Sequence, residues 1–231
     1  MSNQHPNNHQ HNEQTVEQVA GEVINNTVEK IDKNKNVILY VVLGILIIVG
    51  AVLAYVNLYR IPHQKAGDEA LYKAESYFAK DSFQTALDGN GADVMGFRQV
   101  IEKYGNTKAG NLARYYAGVS LYHLGQYEEA VSFLKKYSGD DIMVAPASRG
   151  LIGDALVQLG KTEEAVNYFE EAAKMADNDV LSPVYLQKAA IAYKALGNKE
   201  KALETFKTIK TKYAASAIAA EADKYITELS L

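Results

Sequence analysis

The chain has 231 residues, enough for one domain and an appendage, and its formal charge of −4 is spread without long runs of like charge. This balance gives no indication that nucleic acid is a partner. The chain contains no cysteine, which excludes disulfides, thiolate catalysis and cysteine-based zinc sites.

The first 36 residues form a polar N-terminal tail. Residues 1–12 are rich in Asn, Gln and His and cannot bury a core, so we expect them to be disordered. Three histidines could bind a transition metal weakly, but no carboxylate or cysteine completes a site, so a plain polar tail is the simpler interpretation: His5, His9 and His11. Residues 13–34 space valine and isoleucine among charges, which fits either an amphipathic helix on a membrane surface or a solvated, partly helical linker.

Residues 37–59 carry no charged side chain. As a helix this stretch would be about 34 Å long, enough to cross a bilayer with some tilt. Tyr40 near one end and Tyr55 and Tyr59 near the other fit an interfacial aromatic belt. A cleavable signal peptide would have a shorter apolar region nearer the start of the chain. We therefore predict a single transmembrane helix, whose orientation the evenly balanced flanking lysines and arginines leave open.

A short sequence recurs three times in the C-terminal half: "LGQYEEAV" at 124–131, "LGKTEEAV" at 159–166 and "LGNKEKAL" at 196–203. A small residue stands seven positions before each turn glycine, and a large residue stands four positions before it. The small residues allow the two helices of a hairpin to approach closely, and the large ones fill the space between hairpins. These positions are Gly118, Gly153 and Ala190 (small) and Leu121, Leu156 and Tyr193 (large). The spacing predicts three stacked helical hairpins over residues 109–212.

The Gly-Lys-Thr at residues 160–162 also occurs at the end of phosphate-binding loops. Such a loop needs an earlier glycine and a preceding β-strand, but Ala155 holds the glycine's place and no strand pattern precedes it. The sister repeats carry other residues after the glycine, so these are variable turn positions and the phosphate-loop interpretation is rejected.

The segments on either side of the three hairpins look like incomplete repeats. Residues 60–108 predict a linker followed by a degenerate first repeat, with Ala74, Tyr77 and Ala86 in register. Its second helix is expected to break at "DGNGAD" and to resume as "VMGFRQVIEKY". Residues 213–231 predict one terminal helix that caps the stack.

The repeats resemble the tetratricopeptide repeat in their period and in the order of small, large and alanine positions, although the early tryptophan and the repeat-ending proline are missing or displaced. This resemblance implies an all-α fold, in which a transmembrane helix precedes a right-handed α-solenoid of helical hairpins. The segments "GNLARYYAGVSLYHLGQYEEAV" and "APASRGLIGDALVQLGKTEEAV" are similar to the ancillary subunit of the Sec translocon in Bacteroidetes-type bacteria. That family implies a bacterial inner-membrane anchor, a cytoplasmic N-terminus, periplasmic repeats, and translocon subunits or exported proteins as partners.

The concave surface lined by the first helix of each hairpin is the predicted binding site. Positions ten, six and three before each turn glycine should face it: Tyr115, Val119 and Tyr122; Gly150, Asp154 and Val157; Gln187, Ile191 and Lys194. These residues are mixed and rather apolar, and they lack the Lys, Asn and Arg clamp with which some repeat modules hold a terminal carboxylate. Some of them could instead pack against the first repeat.

No catalytic or cofactor motif is found in the sequence. There is no H-E-x-x-H, and "GNGADVMG" breaks G-x-G-x-x-G. We therefore expect a non-enzymatic, membrane-tethered interaction module with chaperone-like character and no cofactor or metal. The alternatives are a structural scaffold of a cell-envelope assembly or division complex, and self-association through Gly50-xxx-Ala54 in the membrane.

Overall fold

The computed structural model describes the backbone of residues 9–231, and the side chains of these residues except 9–17, 26 and 28–32. Every regular element in this part of the chain is helical, which confirms the predicted all-α class. Contacts divide the chain into two compact units, Met1–Arg60 and Ile61–Leu231. His5 and most of the predicted disordered segment lie outside the described residues, as do the side chains of His9 and His11.

The described part of the first unit is a long helix, α1 (His9–Tyr55), followed by one π-helical turn (Val56–Arg60). The helix includes residues 9–12, for which the composition predicts disorder, and no helix boundary separates the amphipathic segment from the apolar one. Residues 22–43 contain neither glycine nor proline, so the backbone can remain helical where the composition changes from polar to apolar. At residue 37 the side chains change from polar to apolar, which favours a bilayer over water. The backbone remains helical there.

The large apolar side chains between Val37 and Tyr59 are exposed along α1 and the π-turn. Among the described residues, one helical stretch, Lys33–Phe78, contains a segment that is long and apolar enough to cross a bilayer, and no part of that segment is buried. A membrane span and an N-terminal signal sequence both have these properties. Exposed apolar surface of this extent requires an apolar environment or a partner.

The second unit is a series of helices in which each one packs mainly against its neighbours in sequence. Its first helix begins at Ile61, inside the segment predicted as a linker and degenerate first repeat. The helices are α2 (Ile61–Phe78), α3 (Phe83–Asp88), α4 (Phe97–Tyr104), α5 (Lys108–His123), α6 (Tyr127–Lys136), α7 (Val144–Gln158), α8 (Thr162–Ala176), α9 (Ser182–Ala195), α10 (Lys199–Lys212) and α11 (Ala217–Leu229). Helices α5 to α10 form the three predicted hairpins, and α11 follows them.

The first helix of each hairpin ends in a left-handed turn residue. Gly125, Gly160 and Gly197 have φ values of 75°, 71° and 75°. In each turn the glycine N–H donates to the carbonyl three residues earlier, and the next N–H donates to the carbonyl five residues earlier. This pattern is a Schellman motif, which satisfies the free carbonyls at the end of a helix. The turn glycines therefore stop the first helices at the predicted positions.

The small residues bring the two helices of a hairpin together. A Cβ atom on Gly118 would lie 2.4 Å from Leu134 Cγ, and one on Gly153 would lie 2.5 Å from Phe169 Cε1. Leu134 and Phe169 belong to the second helices of the same hairpins and are buried. The close approach inferred from the spacing is therefore present, and it leaves no room for a larger side chain.

Candidate protein-binding groove

The first helices of successive hairpins lie side by side and form one surface, here called the first-helix surface (α5, α7, α9 and α11). Three side-chain pairs join neighbouring members, and the partners in each pair are 34 residues apart: Asp154 with Lys188, Gln187 with Glu221, and Lys194 with Glu228. A separation of one repeat period means that equivalent helices are in contact. Helix α11 thus continues the series of first helices.

A pocket of about 230 Å³ opens on this surface. It draws on three first helices and on α8, and it includes four of the residues predicted from the sequence, which are Tyr122, Asp154, Val157 and Ile191. The other lining residues are Gln158, Thr162, Phe169, Lys188, Ala192 and Ala195. The structure therefore brings part of the predicted groove into a single concave site.

Apolar side chains form most of the wall of the pocket. Phe169 is almost completely buried, with 2% of its surface exposed, whereas Val157 and Ile191 keep 40% and 44% of theirs. Exposed branched aliphatic side chains beside a buried aromatic ring provide a surface on which an apolar group would lose its contact with water.

The two charged residues of the pocket neutralise each other. Lys188 Nζ lies 2.8 Å and 2.6 Å from the two carboxylate oxygens of Asp154, and it also lies 5.8 Å from the centre of the Phe169 ring. Sequence reasoning missed Lys188, because the projection pointed to Gln187, its neighbour in the chain. The 34-residue separation from Asp154 was the one signal that could have identified it.

Tyr122 provides a polar group on α5 at the same site. Burial raises the pKa of its hydroxyl, and the negative charge of Asp154 adds to the effect. The ring also makes an edge contact with Tyr127, at a centroid distance of 5.4 Å. A phenol whose pKa is raised keeps its proton at neutral pH and remains a hydrogen-bond donor.

Two other predicted residues on α9 contact the terminal helix. Gln187 Nε2 donates to Glu221 Oε2 over 3.2 Å, and Lys194 Nζ lies 2.5 Å from Glu228 Oε1. The bond from Lys194 lowers the pKa of the exposed Glu228 carboxyl. These side chains lie on the first-helix surface, but their polar groups are already paired within the chain.

The remaining predicted residues lie towards the start of the surface. Tyr115 packs against Tyr116 and Tyr137, with ring centroids 5.5 Å and 5.9 Å away, and burial raises its pKa. Val119 is half-buried on α5. Gly150 is buried under Tyr185, whose ring would lie 2.3 Å from an added Cβ, so it offers no side chain to a ligand. The binding role of all these positions stays a prediction.

No cluster suited to metal binding is found in the part of the chain that the structure describes, taking groups of three or more His, Cys, Asp or Glu. His123 lies flat against Phe83, with ring centroids 4.3 Å apart and an interplanar angle of 2°. A stack of this kind contributes to the packing of α3 against α5.

Solved structures share this fold. The kinesin-light-chain-type TPR-like repeats of Podosopora anserina align with a TM-score of 0.56 and 16% identity, covering 72% of this chain and 86% of theirs. The MamA protein aligns with a TM-score of 0.51 and 16% identity, covering 71% of this chain and 89% of its own. These likenesses confirm the predicted tetratricopeptide-like repeat fold. A search of curated proteins gave no match.

A protein-family model also matches the chain. The family is described as the N-terminal domain of EccA1, a protein of the type VII secretion system ESX-1, and the match covers residues 85–224. These residues run from α3 into α11 and make up more than half of the chain, so they include the pocket and leave out α1. The resemblance to the Sec ancillary subunit stays a prediction. The chain belongs to the family of the EccA1 N-terminal domain.

Proposed function

We propose that this chain is a non-enzymatic, membrane-tethered module that binds a protein partner on its first-helix surface. The observation that carries the proposal is the pocket, where Val157 and Ile191 remain exposed in a concavity shared by three hairpins. Exposed apolar side chains in a concave site are typical of places where a partner buries an anchor residue.

The apolar segment at residues 37–59 serves as the tether in this proposal. Its exposed valine, leucine and isoleucine side chains would be stable in the hydrocarbon core of a bilayer. The orientation in this proposal follows the resemblance to the Sec ancillary subunit. The anchor crosses the bacterial inner membrane, with the N-terminus in the cytoplasm and the repeats in the periplasm. A tether confines the repeats near the membrane and raises their effective concentration for a partner there.

The partner in this proposal belongs to protein export: a translocon subunit or an exported chain. Besides the Sec resemblance, the matched family takes its name from a secretion-system protein, which supports a role of this class. The protein-binding role rests on the exposed apolar side chains of the pocket. The export role rests on these two resemblances, because repeat folds of this kind occur in many scaffolds and do not identify a partner.

Site-specific photocrosslinking in intact cells tests the proposal. A crosslinker in place of Tyr122 should capture translocon components or exported chains, and one in place of the exposed Lys174 on α8 should not. Capture of neither class from Tyr122 would overturn the export role. A single fixed partner, with no protection of clients against aggregation, would favour the scaffold alternative.

Two measurements test the tether separately. The full chain should stay with the membrane after alkaline extraction, and a compartment reporter fused to its C-terminus should be active only in the periplasm. Release by alkali would contradict the membrane span, and a cytoplasmic reporter signal would contradict the orientation.

A further inference from the structure

We propose that the pocket takes one large, uncharged apolar side chain, of the leucine, methionine or phenylalanine class, from a segment of the protein partner. This inference rests on the proposed function, and it specifies which chemistry the first-helix surface selects. The occupant is a partner residue rather than a free small molecule, for reasons of size, charge and polar lining.

The size of the pocket favours a single side chain. Its volume of about 230 Å³ is smaller than the roughly 300–1,000 Å³ of cavities that enclose drug-sized ligands or cofactors. Phe169 closes one side, and the aliphatic groups of Val157, Ile191 and Ala192 line the space beside it. An apolar side chain that enters would be surrounded mainly by carbon.

The charges of the pocket disfavour an acidic or basic occupant. Its two ionic groups, Asp154 and Lys188, are bonded to each other through both carboxylate oxygens. A carboxylate or an ammonium group that entered would lose its hydration without gaining an unpaired counter-charge. An apolar side chain carries no such cost, so the ion pair acts as a filter against charged residues.

Three polar groups can fix the backbone of the bound segment. Tyr122, Gln158 and Thr162 line the same pocket, and each side chain carries a hydrogen-bonding group. Groups of these types donate to or accept from peptide N–H and C=O groups and thereby set the orientation of a ligand whose side chain supplies the affinity.

The test uses a phage-displayed library of random peptides, selected on the full chain in detergent micelles. We expect the recovered peptides to share one large apolar residue. Synthetic copies labelled with fluorescein should lose affinity about tenfold or more when that residue becomes Ala, and more when it becomes Asp.

Substitutions in the protein locate the binding. Val157→Asp and Ile191→Asp should each weaken binding about tenfold or more, and both positions are exposed enough to tolerate the change, which melting curves would verify. Val180→Asp is the matched control, because Val180 is 74% exposed in the α8–α9 connection, outside the pocket. The affinity of the Val180→Asp variant for the peptides should be unchanged.

Two failures can be told apart. One result would overturn the pocket inference and leave the proposed function in place. In that result Lys194→Glu, on the same surface, weakens peptide binding, yet the peptides bind the Val157→Asp variant normally or still bind when their shared residue is Asp. The proposed function fails, and the pocket inference with it, if no peptide is recovered. It also fails if the affinity of every peptide is unchanged by the three surface substitutions and by the control Val180→Asp.

Discussion

The first region of the repeat unit (residues 61–104) and the three regular hairpins (residues 108–212) have the same turn but different second helices. Asp81 stands where the hairpins have glycine, seven residues after Ala74, and its φ of 56° lies in the same left-handed region. Its N–H donates to Phe78 O, and the Ser82 N–H donates to Tyr77 O, as in the three glycine turns. The first region and the three hairpins therefore share the left-handed turn and the small residue seven positions before it.

After the turn, the two regions differ. Each regular hairpin returns in a single helix, whereas the first region returns in α3 and α4 with residues 89–96 between them. There the Asn90 side chain accepts hydrogen bonds from the N–H groups of Ala92, Asp93 and Val94, and so closes a loop. A broken second helix is compatible with the stack as long as other contacts replace its packing.

Aromatic and ionic contacts replace that packing. Phe97 stacks on Tyr116 at a centroid distance of 5.4 Å, and Phe78 meets both rings edge-on. Arg98 forms a two-pronged ion pair with Glu129 on α6, with Nη2 2.8 Å from Oε2. The first region thus packs on the hairpins through an aromatic cluster and an ion pair of its own. The hairpins pack through small and large residues that recur at the same positions of each repeat.

The largest effect is expected for Phe97→Ala, because this fully buried ring is central to the aromatic cluster of the first region. Its removal should lower the free energy of unfolding by about 3–5 kcal/mol. Chemical denaturation of the full chain in detergent, followed by circular dichroism, measures the loss. Tyr72→Ala, at a position on α2 that is 72% exposed, should have almost no effect. A loss under about 1 kcal/mol for Phe97→Ala would mean that the cluster does not hold the first region in place.

The next effect tests the repeated pattern of the hairpins. Gly153→Val should destabilise the chain by about 1–3 kcal/mol, because the new Cβ would lie 2.5 Å from the Phe169 ring and force α7 and α8 apart. The control is Gly21→Val on α1, where nothing lies within 4 Å of an added Cβ. Equal melting temperatures for the two variants would contradict the role of the close approach.

A reciprocal exchange at the turn compares the two regions directly. Asp81→Gly should stabilise the chain, and Gly160→Asp should destabilise it, each by about 1 kcal/mol, since an L-residue is strained in the left-handed region. The same denaturation curves measure both changes. Asp140→Gly, at an exposed loop position outside the left-handed region, should not stabilise. Stabilisation of similar size at Asp140 would show that the gain at Asp81 does not come from its φ.

The smallest effect concerns pH. Burial raises the pKa of Glu75 on α2, and the hydrogen bond from Tyr116 only partly offsets it. The folded chain therefore holds this proton more tightly than the unfolded chain. The stability that Glu75 contributes is complete below its unfolded pKa of 4.5 and is lost as the pH rises through the higher folded value.

Glu75→Gln removes this titration and keeps an acceptor for Tyr116. The variant should be slightly more stable than the parent at pH 7 and no more stable below pH 4.5, the ordinary value for this carboxyl. Denaturation at several pH values measures the difference. Glu128→Gln, at an exposed position, controls for the loss of one negative charge. A difference that did not change with pH would show that Glu75 acts through packing alone.

Much of the fold could be predicted because its causes are local. Gly160 must have a positive φ, and Gly153 must be small, wherever the hairpin lies in the stack, so both requirements are visible in the sequence. Local sequence also explains why α1 does not end at residue 36, since nothing there breaks a helix.

The binding surface could be predicted only in part. Counting back from the glycines gave Tyr122, Asp154, Val157 and Ile191, all of which line the pocket. It did not reveal that Lys188 would pair with Asp154, because that pairing depends on how α9 lies against α7.

The sequence by itself determined where the helices turn and which segment is apolar enough for a membrane, since both follow from steric limits and composition within a few neighbouring residues. The tertiary structure decided which side chains of the first-helix surface are left exposed. Gln187 and Lys194 bond to α11, whereas Val157 and Ile191 face an open pocket. The physical reason is that such pairings join residues one repeat apart, and they form only when two helices lie within side-chain reach of each other.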